Sequence, residues 1–138
     1  MSGFQPIRSI HILVVEDDQM VATMLAEAFA TESAKMGLVV CFLVSITASG
    51  EVARDWVRQS RFDGYILDGN LSGRLHGTAV AEQIREYDET CPIVLHCSGA
   101  KNMRATAILH DLQNIEKTQG STDTAARYII TKLFATTT

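Results

Sequence analysis

Residues 9–18 read SIHILVVEDD, an aliphatic run that ends in three consecutive acidic residues. A short run rich in Ile and Val is typical of a strand that is buried on both faces of a sheet. In the next segment, Gln19–Lys35, apolar residues recur at three- and four-residue spacing, which predicts an amphipathic helix with Met20 and Met24 on its inner face. The chain therefore begins as a buried strand, a group of acids and a helix.

The same alternation continues along the chain. We predict a helix that begins near Ser49, with that residue as its cap, and a last helix capped by Thr122 or Asp123. The predicted strands are residues 9–15, 38–46, 62–67, 93–95 and 112–115, and the other helices are residues 19–35, 78–87, 102–110 and 123–134. Five strand–helix units predict an α/β fold, a doubly wound five-stranded parallel sheet with helices on both faces. The strand order cannot be derived from one sequence.

Four of the predicted strands lead into polar residues. The first leads into the acids 16–18, the third into Asp68, the fourth into Ser98, and the fifth into Glu116 and Lys117. The carboxyl ends of parallel strands form the ligand crevice of such a sheet, so these side chains are expected to meet there. Clustered carboxylates repel one another unless a cation lies among them, and Mg²⁺ prefers oxygen ligands. A carboxylate beside Mg²⁺, a hydroxyl and an ammonium is arranged to accept a phosphoryl group.

Composition excludes several other classes of protein. The 138 residues, 46% of them hydrophobic, suffice for one compact domain, and a net charge of −4 argues against sequence-independent nucleic-acid binding. Cys41, Cys91 and Cys97 are odd in number and lie in or beside apolar segments, so we expect buried free thiols in a reducing cytosol. No signal peptide and no apolar run of membrane-spanning length are present in the sequence.

Four motifs in register carry a specific resemblance. They are ILVVEDD at residues 12–18, FDGYILDGNL at residues 62–71, VLHCSGA at residues 94–100 and NIEK at residues 114–117. In this order and spacing the chain resembles a response-regulator receiver domain of two-component signalling. The resemblance implies a flavodoxin-like (βα)5 fold. It also implies that residues 1–138 form a single receiver domain, with a core of about residues 9–134 and no output domain.

The resemblance assigns roles to residues that match the motifs. Asp68 matches the phosphoacceptor, Ser98 the hydroxyl that bonds a phosphoryl oxygen, and Lys117 the lysine that contacts the phosphoryl group. Asp68 would attack in line, since carboxylates act as nucleophiles that form acyl phosphates. Positive and hydrogen-bonding groups would balance the charge on the transferring oxygens.

The resemblance also implies the ligands of an Mg²⁺ cofactor. Asp17 matches the direct ligand and Glu16 the acidic partner that acts through water, while Asp68 and the backbone carbonyl of Asn70 complete the set. Asp18 is then expected to cap the first helix. A register shifted by one residue, with Asp17 and Asp18 as the acidic pair, is the alternative; the first assignment is preferred because its pair directly follows the strand.

As a receiver domain the chain would be a regulatory phosphoacceptor, not a conventional enzyme, which promotes its own phosphorylation and dephosphorylation. The implied partners are a sensor histidine kinase or a phosphotransfer protein and a downstream protein target. We expect a cytoplasmic monomer or weak dimer that binds neither nucleic acid by itself nor a membrane.

The sequence also departs from the family pattern. Thr118 stands where the family usually has proline, Asn114 where it has an aromatic switch residue, and Ser72 near another usual proline, while Gly77 comes about one residue late. Without the aromatic, any response should pass through backbone movement around residues 98–100. These departures support an alternative, a phosphorylation-independent binding module on the same fold. A flavodoxin-like or hydrolase-type enzyme fits less well, because acids 16–18 stand where a phosphate-binding glycine loop is needed.

Overall fold

The computed structural model describes residues 8–71, 73 and 75–135, and within these ranges strands and helices alternate as predicted. Ser72, where a departure from the family pattern was noted, lies outside the described residues. The five strands are β1 (Arg8–Val15), β2 (Val40–Thr47), β3 (Gly64–Leu67), β4 (Ile93–Cys97) and β5 (Gln113–Glu116). The helices are α1 (Gln19–Lys35), α2 (Gly50–Gln59), α3 (Gly77–Tyr87), α4 (Arg104–His110), preceded by a 3-10 turn at Ala100–Met103, and α5 (Ser121–Leu133).

The sheet places the ends of β1, β3, β4 and β5 side by side. All strand pairs are parallel, and the strand order is β2-β1-β3-β4-β5. In this register Val15 pairs with Leu67, so the acids after β1 lie next to Asp68 after β3. The order of connection reverses between β1 and β3, which is the kind of switch point where ligands bind in doubly wound sheets.

Both faces of the sheet are covered by apolar side chains. Leu13 and Val15 pack towards α2 and α3, whereas Ile12 and Val14 pack towards α1 and α5, and all four are fully buried. Alternate residues of a strand point to opposite faces, so a strand inside such a sheet must be apolar at every position. Burial of one such side chain stabilises the fold by roughly 1.5–3 kcal/mol, which fixes the strand that carries the acids.

Two of the predicted helix caps are confirmed and one is wrong. Asp18 Oδ1 accepts the N–H groups of Met20 and Val21 at 3.0 and 3.2 Å, and Ser49 Oγ accepts the Val52 N–H at 3.2 Å. Helix α5 begins at Ser121 after Gly120, and no side chain caps it, so the prediction of Thr122 or Asp123 as cap is wrong. Gly120 has a φ of 83°, a left-handed conformation that glycine adopts without strain.

Several element bounds differ from the prediction. β2 begins at Val40 rather than residue 38 because it pairs residue by residue with β1, starting opposite Arg8. β5 begins at Gln113 because Leu112 packs in the core just before it. The fourth helical segment starts at Ala100 as a 3-10 turn, two residues before its predicted start.

Some apolar residues predicted to be buried are exposed. Met20 and Met24 are 73% and 46% exposed, because the buried stripe of α1 runs through Leu25 and Phe29 on another face of the helix. All three cysteines are free, and Cys91 and Cys97 are buried as predicted, but Cys41 is exposed on the edge strand β2. Among the described helices, none combines the length and the apolar character that a membrane span requires.

Candidate functional site

Three carboxylates meet at the carboxyl ends of β1 and β3. Glu16, Asp17 and Asp68 each offer an oxygen within 4.8 Å of the others, and they are the one group of three or more potential metal-ligating acids, histidines or cysteines among the described residues. Glu16 and Asp68 are each 3% exposed, whereas Asp17 is exposed. Hard oxygen donors in this arrangement suit a divalent cation such as Mg²⁺.

The lysine after β5 reaches over the end of β4 into this group of acids. Lys117 Nζ lies 3.0 and 3.1 Å from the two carboxylate oxygens of Glu16 and 3.1 Å from Asp68 Oδ2. Its backbone N–H donates to the Cys97 carbonyl at 3.1 Å and so extends the pairing of β4 with β5 beyond the strands. The structure thus brings Lys117 together with the predicted acids.

The acids and the lysine shift one another's protonation. Burial, together with the neighbouring Asp68 carboxylate, raises the pKa of Glu16 to about 7. Burial opposes ionisation of Asp68 too, but hydrogen bonds from the Asn70 N–H, Glu16 and Lys117 outweigh it and lower the pKa of Asp68. Burial also disfavours the charged form of Lys117, yet its two carboxylate partners raise its pKa. Asp68 is therefore ionised. The single positive charge of Lys117 does not balance the negative charges of the carboxylates around it.

The backbone around Asp68 is tightly fixed. Its N–H donates to the Val15 carbonyl at 2.8 Å, and its Oδ1 accepts the Asn70 N–H at 2.9 Å. Gly77, the first residue of α3, lies against the Asp68 backbone, since a Cβ there would come within 2.1 Å of the Asp68 carbonyl oxygen. The glycine that comes late relative to the family pattern is thus the one that lets α3 start against Asp68.

Asn70 and Ser98 lie near these groups and contact each other. The Asn70 side-chain amide donates to the Ser98 carbonyl at 2.8 Å, and so connects the loop after β3 with the loop after β4. Ser98 itself is exposed, and its hydroxyl has no hydrogen-bond partner among the described residues. The predicted hydroxyl is therefore present at the sheet edge without being bonded to the carboxylates.

Two residues of β5 hold the loop after β4, and sequence reasoning missed one of them. The carboxylate of Glu116 accepts the N–H groups of Gly99 and Ala100 at 3.0 and 2.8 Å, and these bonds lower its pKa. The side-chain amide of Asn114, at the place of the expected aromatic, donates to the Ala100 carbonyl. The sequence places Glu116 among the polar residues that follow the strands, but an exposed glutamate next to a lysine gives no sign that it holds a neighbouring loop.

The loop that follows Lys117 is also held by side chains. All described peptide bonds are trans, including the one that precedes Thr118. Thr118 begins a hydrogen-bonded turn that ends at Ser121, and Ser121 contacts the buried ring of His96 in β4. No sequence motif assigns a functional role to His96 or Ser121.

Taken together, the fold and this sheet edge define a class of protein, a parallel α/β domain with an acidic cluster and a lysine at the carboxyl ends of its strands. A sequence model described as the response regulator receiver domain matches residues 12–118, and the chain belongs to this family. Family and fold were both predicted from the sequence, and both are confirmed.

Solved receiver domains share the fold at low sequence identity. A response regulator receiver protein from Sinorhizobium medicae WSM419 is 21% identical, with 92% of this chain and 96% of that chain covered and a TM-score of 0.77. The response regulator TrrA from Thermotoga maritima, solved in complex with Mg²⁺–BeF, is 21% identical, with coverage of 91% and 99% and a TM-score of 0.69. No curated protein sequence matches the chain significantly.

A third solved structure also carries the metal that the resemblance implies. The receiver domain of a sensor histidine kinase from Pseudomonas aeruginosa PAO1, solved with a magnesium ion in its active-site cleft, is 18% identical. The match covers 93% of this chain and 99% of that chain, with a TM-score of 0.69. At such identities the likeness concerns the fold, and the ligands of those structures are properties of those proteins.

Proposed function

We propose that Asp68 accepts a phosphoryl group from a phosphohistidine of a sensor histidine kinase or a phosphotransfer protein, and that the domain then signals to a downstream protein. One observation carries this proposal: the buried Asp68 carboxylate has Lys117 Nζ 3.1 Å away and oxygens of Glu16 and Asp17 within 4.8 Å. Charge of both signs is thus arranged around a single nucleophile.

The chain's own residues prepare the transfer. The lowered pKa of Asp68 keeps it ionised, and the Asn70 N–H and Lys117 Nζ orient its two oxygens. A carboxylate oxygen forms the new O–P bond while the P–N bond of the donor breaks, and the donor nitrogen keeps the electron pair. Lys117 then faces the transferred oxygens. Hydrolysis reverses the state when water attacks phosphorus, which restores the carboxylate and releases inorganic phosphate.

A divalent cation fits the donor set of this site. Glu16, Asp17, Asp68 and the carbonyl of Asn70 would hold Mg²⁺, with waters as the remaining ligands. The raised pKa of Glu16 supports this, because burial and the neighbouring Asp68 carboxylate disfavour its charged form, which a bound cation would stabilise. When bound, Mg²⁺ supplies neutralisation of the charge on the phosphoryl oxygens.

A second candidate function is a phosphorylation-independent binding module. The bonds from Asn114 and Glu116 to the loop after β4 favour it, since they hold that loop in one place in the unphosphorylated protein. If the loop cannot move, the surface that a partner reads would be constant.

The experiment that separates the two begins with a small acyl-phosphate donor and Mg²⁺. We expect the intact protein to gain the mass of one phosphoryl group, which is labile to hydroxylamine, and the Asp68→Asn variant to gain none. Asp55→Asn is the matched control, because Asp55 is an exposed carboxylate on α2.

Two outcomes would contradict the proposal. One is an unmodified wild-type protein under conditions in which a known receiver domain is fully phosphorylated. The other is an Asp68→Asn variant that acquires the labile group as readily as Asp55→Asn. Beryllofluoride binding without any change in amide signals of residues 98–100 would favour the constitutive module.

A further inference from the structure

His96, Ser121 and Thr118 form a hydrogen-bonded triad next to Lys117 in which Thr118 is exposed. His96, the next-to-last residue of β4, is 1% exposed, and its Nε2 lies 2.7 Å from Ser121 Oγ, which is itself buried. Ser121 Oγ donates to the Thr118 carbonyl at 2.7 Å and accepts the Thr118 N–H at 3.1 Å. The Ser121 N–H also donates to the Thr118 carbonyl, at 3.1 Å, so the turn is closed by three hydrogen bonds.

The proton positions in this triad follow from the donor inventory. A hydroxyl has one proton and two lone pairs. With the proton of Ser121 on the Thr118 carbonyl and one lone pair on the Thr118 N–H, the remaining lone pair is available to accept a proton from His96 Nε2. Burial lowers the pKa of His96 to about 4, so the ring is neutral at pH 7, and this geometry fits the tautomer with its proton on Nε2. Its Nδ1 is buried and has no hydrogen-bond partner among the described residues.

The triad fixes the backbone from which Lys117 extends. Two consecutive residues of β4 hold this segment, Cys97 through its carbonyl to the Lys117 N–H and His96 through Ser121 to Thr118. The Lys117 side chain then crosses the sheet edge to meet Asp68 and Glu16 at about hydrogen-bond distance. A shift of the turn would carry the Lys117 Cα with it and move the ammonium away from the carboxylates.

Resting on the proposed function above, we propose that His96 and Ser121 are positioning residues, which hold the Lys117–Thr118 backbone so that the Lys117 ammonium meets a phosphoryl group on Asp68. They act through Lys117 and touch neither the metal ligands nor the phosphoryl group. The competing interpretation is that His96 only fills the core, as an apolar residue of similar size would.

The test compares variants that keep or remove the hydrogen bond at similar volume. His96→Leu and Ser121→Ala remove it; His96→Gln keeps an N–H donor near the Nε2 position and Ser121→Thr keeps the hydroxyl. For each folded variant, the affinity for Mg²⁺ and the affinity for beryllofluoride in saturating Mg²⁺ are measured. We expect Mg²⁺ affinity within about twofold of wild type throughout, since Lys117 is not a ligand. Beryllofluoride affinity should fall about fivefold to tenfold in the first pair and return in the second, as expected for one hydrogen bond.

A double-mutant cycle separates positioning from packing. If His96 acts through Lys117, His96→Leu should cause no further loss of beryllofluoride affinity in a Lys117→Ala background, whereas a packing defect should add fully. An equal loss in both backgrounds, or a His96→Gln variant as weak as His96→Leu, would overturn the inference while leaving the proposed function intact.

A measurement on the protein without beryllofluoride tests the positioning inference independently of ligand binding. If wild-type protein binds no beryllofluoride, the proposed function fails, and the positioning inference is decided by amide exchange at Thr118 and by the side-chain signals of Lys117. Both should change in His96→Leu and return in His96→Gln. Unchanged Lys117 signals in a folded His96→Leu variant would contradict the inference.

Discussion

The candidate site has two halves that are built in different ways. In the acidic half, Glu16, Asp17 and Asp68 follow directly from the ends of β1 and β3, and the strand pairing alone brings them together. In the β4–β5 half, the loop after β4 is held by side chains of β5, with Asn114 and Glu116 bonded to its backbone. The acidic half carries the chemistry expected of the family, whereas the β4–β5 half includes Asn114 where the family pattern predicts an aromatic residue.

The two halves place different demands on the backbone. Metal and phosphoryl chemistry depends on charges at fixed distances, which a rigid parallel sheet supplies through its backbone. Under the proposed function, a response to phosphorylation would require a loop that can adopt two arrangements, and a ligand shifts such an equilibrium only by its differential affinity for the two. Single substitutions can therefore perturb the two halves separately.

The largest effect should come from crowding the backbone of the acidic half. Gly77→Ala places a Cβ within 2.1 Å of the Asp68 carbonyl, where backbone rather than a flexible side chain must yield, so we expect about 3 kcal/mol of lost unfolding free energy. Urea unfolding measures it. Gly37→Ala is the control: its Cβ would meet nothing within 4 Å, so only the strain of a positive φ, about 1 kcal/mol, remains. Equal losses in both variants would show that α3 does not start tightly against Asp68.

The second prediction removes a charge from the acidic half without crowding it. Asp17→Asn should weaken Mg²⁺ binding at least about tenfold. Removal of a group that only supports a metal ligand already lowers metal affinity about tenfold to a hundredfold. Titration of Mg²⁺ followed by amide shifts or Trp56 fluorescence measures it. Glu116→Gln, which alters the β4–β5 half, should leave Mg²⁺ affinity unchanged. If Asp17→Asn binds Mg²⁺ as tightly as wild type, the metal site lies elsewhere.

Much of this organisation could be predicted from the sequence because it depends on local pattern. The buried run of β1 and the polar residues after β3, β4 and β5 identified the fold and the candidate residues. The strand order could not be predicted, since pairing depends on contacts between distant segments. The exposure of Met20 could not be predicted either, because an apolar helix residue does not reveal which neighbour covers it.

The contacts of the β4–β5 half were hidden for the same reason. His96 and Ser121 are 25 residues apart, and their contact exists only because β5 pairs with β4 and α5 follows it directly. Glu116 carries no pattern that distinguishes it from a solvated charge. Sequence motifs therefore indicated the candidate residues, whereas the residues that hold the loops could be found only from the three-dimensional pairing.

The third prediction uses pH, to which the two halves should respond in opposite directions. Burial, reinforced by the charge of Lys117, lowers the pKa of His96 to about 4. As pH falls, His96 is therefore protonated in the unfolded chain before it is protonated in the folded protein. The stability that neutral His96 contributes is present above pH 6.5 and is lost as pH falls towards 4, by roughly 2 kcal/mol between pH 7 and pH 5. Glu16, with its pKa raised to about 7, contributes stability below pH 4.5 that is lost as pH rises towards 7 in metal-free protein.

Urea unfolding of metal-free protein at pH 5 and pH 7 measures both contributions. The unfolding free energy of His96→Gln relative to wild type should increase between pH 7 and pH 5. The unfolding free energy of Glu16→Gln relative to wild type should decrease over the same interval. If the stability difference between wild type and His96→Gln does not change with pH, His96 is not held neutral by burial.

The smallest effect concerns the bonds from Glu116 to the loop after β4. In the present arrangement the Ser98 hydroxyl has no partner among the described residues, while Glu116 holds the N–H groups of Gly99 and Ala100. If bonding of a phosphoryl oxygen by Ser98 moves this loop, the movement would strain or break its bonds to Glu116. Glu116→Gln, whose neutral amide is a weaker acceptor, should therefore raise beryllofluoride affinity about twofold to fivefold at unchanged Mg²⁺ affinity. Glu86→Gln, an exposed carboxylate on α3, should change neither affinity. A fall in beryllofluoride affinity in Glu116→Gln would mean that the glutamate instead preorganises the loop for the phosphorylated state, and the two halves of the site would then work together already before phosphorylation.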